Sequence, residues 1–397
     1  MEETRGYILG ETDRDPLTYH VGETMRFDFC VHAADTAAMR FFRWTIDGDD
    51  GRHEEGCIPA RTGDGLTLRT ACNRPGFVHV VVEACDGGRK PLPLVDRFEG
   101  GAGADIDRIR CSTAKPAEYD AYFEELSRLL DGVAPVPTEY TRLERSDVPE
   151  GYELYRIALP MPFGNPSTGL LCMPQGAAPG SLDGKLVYFG YGGSPLPVNC
   201  EPGTVVLSVS AHGIAPDADA AYYQELFRDP DGPMFYYGFD NLENSDPYTT
   251  YFRGMIARDL QAARFLRSLP VWNGRTLVAT GGSQGAFQAT AVAAHDRHVT
   301  RLSINIPWFC NLGGYKEERL RGWSPDYAAG LCYFDTAISA TRVTCETDIH
   351  ARLGDYICPP SSIMALYSNL RGKRSLTFHQ NGTHGYVCPE DLTYTVG

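Results

Sequence analysis

A serine enclosed by glycines, Gly281-Gly282-Ser283-Gln284-Gly285, stands between an apolar run from Thr276 to Thr280 and a helix-like stretch from Ala286 to Ala294. This G-x-S-x-G pattern is the sequence form of a nucleophile elbow, a sharp strand-to-helix turn that lifts a serine hydroxyl clear of a sheet. The glycines are needed because the serine backbone is strained and neighbouring side chains would collide. The helix N-terminus then favours negative charge developing on a bound group. By chance alone a chain of this composition would contain the bare pattern about 0.2 times, so the flanking strand and helix carry most of its meaning.

A serine hydroxyl is a poor nucleophile without a base, and the base needs an acid to orient it. After an elbow of this kind the order along the chain is Ser, Asp, His. Asp355 follows the strand candidate 347–353 and is fixed by the turn Tyr356-Ile357-Cys358-Pro359-Pro360, whereas Asp348 lies near the start of that strand. His384 lies in the loop Asn381-Gly382-Thr383-His384-Gly385, beyond the last strand, while His379 lies within it. The expected triad is therefore Ser283, Asp355 and His384. His295 and His298, just after the elbow helix, are expected at the surface, and His212 is expected to pack a loop, with support of the site as the alternative. An oxyanion hole would use the backbone N–H of Gln284 and one from the glycine-rich loop Gly190-Tyr191-Gly192-Gly193, with Tyr191 as the second donor.

These groups need a sheet to hold them. The chain has 397 residues, enough for two or three domains. Residues 1–105 read as an all-β sandwich: short runs such as 25–29, 41–46 and 77–82 alternate with the turns Asp47-Gly48-Asp49-Asp50-Gly51 and Pro75-Gly76. The acidic turn is read as a turn, since a calcium loop needs more oxygen ligands. Gly100, Gly101 and Gly103 suggest that 98–115 is a linker. A helix is expected from Pro116. Residues 116–397 then offer strand candidates at 152–158, 168–173, 185–190, 204–210, 275–280, 301–307, 347–353 and 375–379, with helices at 248–268 and 286–294. Antiparallel entry followed by strands alternating with helices matches an α/β fold, a doubly wound α/β-hydrolase sheet of about eight strands.

Composition removes several alternatives. With 36 Lys and Arg against 51 Asp and Glu the formal charge is −15, which disfavours a nucleic-acid partner. Nowhere do eighteen apolar residues run together, so no membrane-spanning helix is expected. The start, Met1-Glu2-Glu3-Thr4, lacks the positive region of a signal peptide, which points to a cytoplasmic protein. The 12 cysteines show no zinc-site spacing and are expected to be reduced thiols. Neither a metal nor a cofactor is expected.

Trp44 before its acidic turn, with Pro75-Gly76-Phe77-Val78-His79-Val80, resembles an immunoglobulin-like domain of the PKD type. Residues 116–397 resemble the acetyl xylan esterase and cephalosporin C deacetylase family. The shared stretches are Ser167-Thr168-Gly169-Leu170-Leu171, Phe189-Gly190-Tyr191, Tyr251-Phe252-Arg253-Gly254, Gly281-Gly282-Ser283-Gln284-Gly285, Ile306-Pro307-Trp308-Phe309-Cys310-Asn311-Leu312 and Asp355-Tyr356-Ile357-Cys358-Pro359-Pro360-Ser361. The resemblance implies removal of acetyl groups from sugars or small esters without a cofactor, and a tendency to form homo-oligomers. It supports Ser283, Asp355 and His384 as the triad, with the amides of Tyr191 and Gln284 as oxyanion donors. The chain departs from the family pattern at Ala211-His212-Gly213 (usually Arg-Gly-Gln), at Phe189 (usually His) and at Gly385 (usually Glu). Other serine hydrolases on the same scaffold, and a non-catalytic carbohydrate-binding protein, are the rival readings. The aromatic-rich segment 222–252 is expected either to pack as an ordinary insert or to form a lid over the site.

Overall fold

The computed structural model describes residues 5–34, 36–60, 63, 65–232 and 234–397; residues 1–4 of the expected sandwich lie outside them. Strands β1 (Gly6–Thr12), β2 (Met25–His32), β3 (Phe41–Gly48), β4 (His53–Pro59), β5 (Leu66–Thr70), β6 (Gly76–Cys85), β7 (Val95–Asp96) and β8 (Phe98–Ala104) make two four-stranded sheets, in the orders β5-β2-β1-β7 and β4-β3-β6-β8. Period-2 alternation sends Met25, Phe27 and Phe29 of β2 and Val78, Val80 and Val82 of β6 into one shared core.

The glycine-rich stretch read as a linker begins as strand β8, and its glycines serve close approach instead. A Cβ on Gly100 would stand 2.1 Å from Gln380 Oε1, and one on Gly101 would stand 2.1 Å from the Val78 carbonyl oxygen. Gly101 donates its N–H to Gln380 Oε1 at 3.0 Å, and Gln380 Nε2 returns a bond to Gly101 O at 2.8 Å. Asp49 of the acidic turn is also more than a turn residue. It is 1% exposed and accepts from Phe77 N at 2.8 Å, Leu320 N at 2.9 Å and Ser361 Oγ at 3.2 Å. Arg319 stands 3.8 Å away, so the buried carboxylate ties the all-β region to the loops behind the site.

The remaining strands are β9 (Glu139–Leu143), β10 (Tyr152–Leu159), β11 (Ser167–Pro174), β12 (Leu182–Tyr188), β13 (Thr204–Val209), β14 (Trp272–Gly282), β15 (Arg301–Asn305), β16 (Glu346–Arg352), β17 (Arg374–Gly382) and β18 (Val387–Thr395). They form one ten-stranded sheet in the order β18-β17-β16-β15-β14-β12-β13-β11-β10-β9. All eight expected strands are present, and β9 and β18 add an edge at each side. The pairs from β13 through β12, β14, β15 and β16 to β17 are parallel; the outer pairs are antiparallel.

Helices α1 (Tyr119–Asp131), α2 (Ala220–Phe227), α3 (Tyr251–Ser268), α4 (Gln284–His295), α5 (Thr336–Ser339) and α6 (Pro360–Asn369) complete the chain. Inward positions of β12 and β14 to β17 (Leu186, Ala279, Ile304, Ile349 and Phe378 among them) share one core with α1, α3, α4 and α6. The alternate positions Thr280, Ser303, His350 and His379 line an open concavity of about 620 Å³. Helices among the described residues thus cover one face of the parallel strands, where a doubly wound sheet would carry them on both.

Cys172 and Cys200 form a disulfide, which corrects the expectation of free thiols throughout. Cys172 lies on β11, and the loop carrying Cys200 packs with Leu170 and Leu196 against the sheet face that α3 leaves uncovered. Cys30 and Cys85, whose spacing echoes an immunoglobulin pair, are both free. Among the described residues no helix is long and apolar enough to cross a membrane.

Candidate active site

Ser283 stands between β14 and α4 with φ 55° and ψ −121°, a backbone state that L side chains rarely adopt. The glycines on each side explain themselves by contact. A Cβ on Gly281 would meet the Gly285 carbonyl at 2.5 Å, and one on Gly285 would meet the Tyr188 carbonyl oxygen at 2.4 Å. The strain is held by Ser283 N–H donating to Asn305 O at 3.0 Å and by Trp308 N–H donating to Ser283 O at 3.2 Å. The serine is thus perched at the carboxyl ends of parallel strands, where open α/β sheets bind ligands.

Asp355 is 0% exposed. Its Oδ1 accepts from the amides of Ile357 and Cys358, both at 3.0 Å, and its Oδ2 pairs with His384 Nδ1 at 2.8 Å. A carboxylate can only accept here, so Nδ1 carries the ring hydrogen and Nε2 keeps its lone pair. Arg352 holds the histidine loop from below, donating to the carbonyls of Thr383 and His384. Gly385, next in the chain, has nothing within 4 Å of its Cβ position. Asp355 and His384 are therefore brought together by a direct hydrogen bond. The serine hydroxyl makes no hydrogen bond to the imidazole among the described residues, the ring being held by Asp355 through Nδ1. Asp348 is elsewhere, bonded to Ser375, and His379 faces the open concavity with Asp391 at 2.8 Å and His350 at 3.0 Å.

The amides of Tyr191 and Gln284 donate to no other group among the described residues, as free oxyanion donors must. Their carriers are tied together by residues that the sequence did not single out for this role. Gly192 N–H donates to the Tyr237 hydroxyl at 3.0 Å, and that hydroxyl donates to Gln284 Oε1 at 2.7 Å. The Tyr237 ring stacks on Tyr191 at 4.2 Å. His212 Nε2 donates to Gly192 O at 3.0 Å, which leaves Nδ1 to accept from the Tyr251 hydroxyl at 2.8 Å. The Ala211-His212-Gly213 departure is thereby accounted for: Arg258 donates twice to Ala211 O, His212 fixes the glycine loop, and Gly213 adopts φ 66° against the Pro166 carbonyl. His212 does more than pack a loop. Part of the 222–252 segment is likewise structural, with Tyr237 buried, while Phe235, Tyr236 and Tyr248 remain exposed.

His295 is half-buried, stacking on Phe123 at 3.7 Å on the wall of an open cavity, and His298 on the same wall keeps 40% of its side chain exposed. Burial pushes the pKa of His295 down to about 3, and pushes that of His212 down to about 4. Both folded values lie below the unfolded value of about 6.5, so the unfolded chain binds protons first. Their contribution to stability is complete above about pH 6.5 and is lost as pH falls, by up to about 1.4 kcal/mol per pH unit for each histidine. Buried Asp259, raised to about 8, has the opposite sign. A His295→Phe variant, which keeps the stack, isolates the histidine. Urea unfolding at pH 7 and pH 5 is expected to show a smaller acid loss in the variant than in the wild type; equal losses refute the assignment.

Comparison with known proteins found partial matches to acetyl xylan esterases and an acetyl esterase. A family model described as acetyl xylan esterase (AXE1) matches residues 315–391, a span that holds Asp355 and His384 and stops short of the elbow. An acetyl esterase of Xylanibacter ruminicola, Axe7A, is 27% identical over 170 residues, 40% of this chain and 38% of that protein. The match thus spans less than two fifths of that relative. The structure is similar to an acetyl xylan esterase from Paenibacillus sp. R4, with TM-score 0.58, 21% identity, and coverage of 71% of this chain and 94% of that one. It is also similar to acetyl xylan esterase 1 from Thermoanaerobacterium sp. JW/SL YS485, with TM-score 0.56, 18% identity, and coverage of 72% and 93%. At these identities the likeness shows the fold, an α/β-hydrolase-like one.

Proposed function

We propose that this protein is a serine carboxylic ester hydrolase that removes acetyl groups from acetylated sugars or xylo-oligosaccharides. One observation carries the reading: a buried carboxylate fixes the tautomer of His384 at 2.8 Å, on the same end of the sheet as a serine strained to φ 55°. The hydroxyl closes on Nε2 when substrate arrives, since catalytic hydrogen bonds often form only in the complex. His384 then takes the serine proton as Ser283 attacks the acetyl carbonyl. The oxyanion forms opposite the amides of Tyr191 and Gln284, and the sugar alcohol leaves with the proton from the imidazolium. Water, activated by the same histidine, releases acetate. No step needs a cofactor.

The test is acetate release from acetylated xylo-oligosaccharides, together with a fluorophosphonate adduct located by mass spectrometry. Acetate release and an adduct on Ser283 are expected. No adduct and no release would leave the carbohydrate-binding reading, and equal rates on acetyl and octanoyl esters would favour a hydrolase of longer chains.

The Tyr237 bridge supplies a finer prediction. Tyr237→Phe keeps the stack on Tyr191 but removes the hydroxyl between Gly192 and Gln284, so kcat on 4-nitrophenyl acetate is expected to fall about tenfold with KM little changed. An unchanged kcat would show that the two donors need no tie.

The immunoglobulin-like identity of the all-β region belongs to the same proposal, as does a homo-oligomer, which light scattering decides. A cytoplasmic location remains a proposal too, and the Cys172–Cys200 bond weighs against it, because such bonds persist in oxidising compartments.

A further inference from the structure

The mechanism leaves one buried nucleophilic group beside it unused. Cys358 is 2% exposed and sits on the turn that begins at Asp355. Its own amide donates to that carboxylate at 3.0 Å. One ligand atom each from Asp355, Cys358 and His384 lie within 4.8 Å of one another.

We propose that Asp355, Cys358 and His384 form a site for a thiophilic divalent cation such as Zn²⁺, and that its occupation switches the ester-hydrolysing centre off. The donor set is one thiolate, one imidazole and one carboxylate oxygen, the mixture that suits zinc. Tetrahedral zinc with such ligands spaces its donor atoms roughly 3.3–3.7 Å apart, so the three groups need to shift by only about an ångström. All three stand on loops, Asp355 and Cys358 between β16 and α6 and His384 after β17, and the His384 side chain is 25% exposed, which gives the ion a way in. The fourth position falls to water or to the Ser283 hydroxyl. Binding exchanges the thiol hydrogen, released to solvent as a proton, for a sulfur–metal bond. The imidazole has a single lone pair, and once that pair is given to the ion it cannot take the proton of Ser283.

The regulatory half rests on the esterase reading; the site itself does not, and the experiment separates them. Co²⁺ serves as the probe, because thiolate ligation gives a near-ultraviolet charge-transfer band that histidine and carboxylate alone do not. The wild-type protein is expected to develop that band at one equivalent, and Cys358→Ser and His384→Gln are expected to lose or shift it. Cys30, whose thiol meets His32 Nε2 at 3.0 Å, is the rival cysteine–histidine pair; Cys30→Ser is expected to keep the band. Zn²⁺ is then expected to inhibit 4-nitrophenyl acetate hydrolysis reversibly by EDTA, with a midpoint at least tenfold lower in the wild type than in Cys358→Ser. No band, or a band lost in Cys30→Ser and kept in Cys358→Ser, overturns the site. A band without any ester hydrolysis would instead sink the proposed activity and leave the site standing, and equal zinc midpoints would sink the switch.

Discussion

Ser283→Ala is expected to lower kcat/KM on 4-nitrophenyl acetate by on the order of 10⁴- to 10⁶-fold, the scale on which loss of a serine nucleophile acts. The substitution removes one oxygen and little else. The amides of Tyr191 and Gln284 are backbone groups and stay in place, so a residual rate above that of water is expected from them. Folding should be nearly untouched, because the bonds that hold the elbow run from Ser283 N to Asn305 O and from Trp308 N to Ser283 O. Ser283→Gly makes the complementary point. Glycine adopts φ 55° without penalty, so this variant is expected to be equally inactive yet about 1 kcal/mol more stable than the wild type. Thermal unfolding of the three proteins beside their rates reads both quantities. Activity of the alanine variant within tenfold of wild type would remove Ser283 from the chemistry.

What could be read from the chain, and what could not, divides by whether the cause is local. The elbow was legible because the needs of Ser283 are met by its immediate neighbours: Gly281 and Gly285 are dictated by contacts with the elbow itself and with the adjacent strand β12. The central strands were legible for the same reason, since alternation is written within each strand. Most of what was misread or missed has partners far away in sequence. Gly100 and Gly101 look like linker glycines until Gln380, about 280 positions on, is seen to press against them. Cys172 and Cys200 meet only because β13 pairs with β11 and brings the preceding loop back over the sheet. Tyr237 is one aromatic among ten in its segment, and nothing in its spacing reveals that its hydroxyl bridges Gly192 to Gln284. The alternation that located β14 to β17 equally gives the polar outer face, Thr280, Ser303, His350 and His379, yet the expectation of a doubly wound sheet came from element order alone. Polar residues at those alternate positions were the available signal that helices do not cover both faces.

Asp355→Asn tests the acid more sharply than deletion would, because the geometry predicts which way the amide must turn. Ile357 and Cys358 both donate N–H groups to Oδ1 at 3.0 Å, so the asparagine carbonyl oxygen takes that position and the NH₂ group faces His384. An NH₂ group donates, so Nδ1 of His384 must accept and the ring hydrogen moves to Nε2. The nitrogen facing the serine then has no lone pair with which to take its proton. A fall in kcat of about 10⁴-fold at neutral pH is expected, with KM near wild type, from a change of one atom type and no loss of packing. Asp348→Asn is the matched control. That carboxylate bonds Ser375 on the outer face of the sheet, and its loss should leave the rate within a few-fold. Were the two asparagine variants equally active, the 2.8 Å contact between Asp355 and His384 would be a structural bond, and the base that activates Ser283 would have to be oriented by some other group.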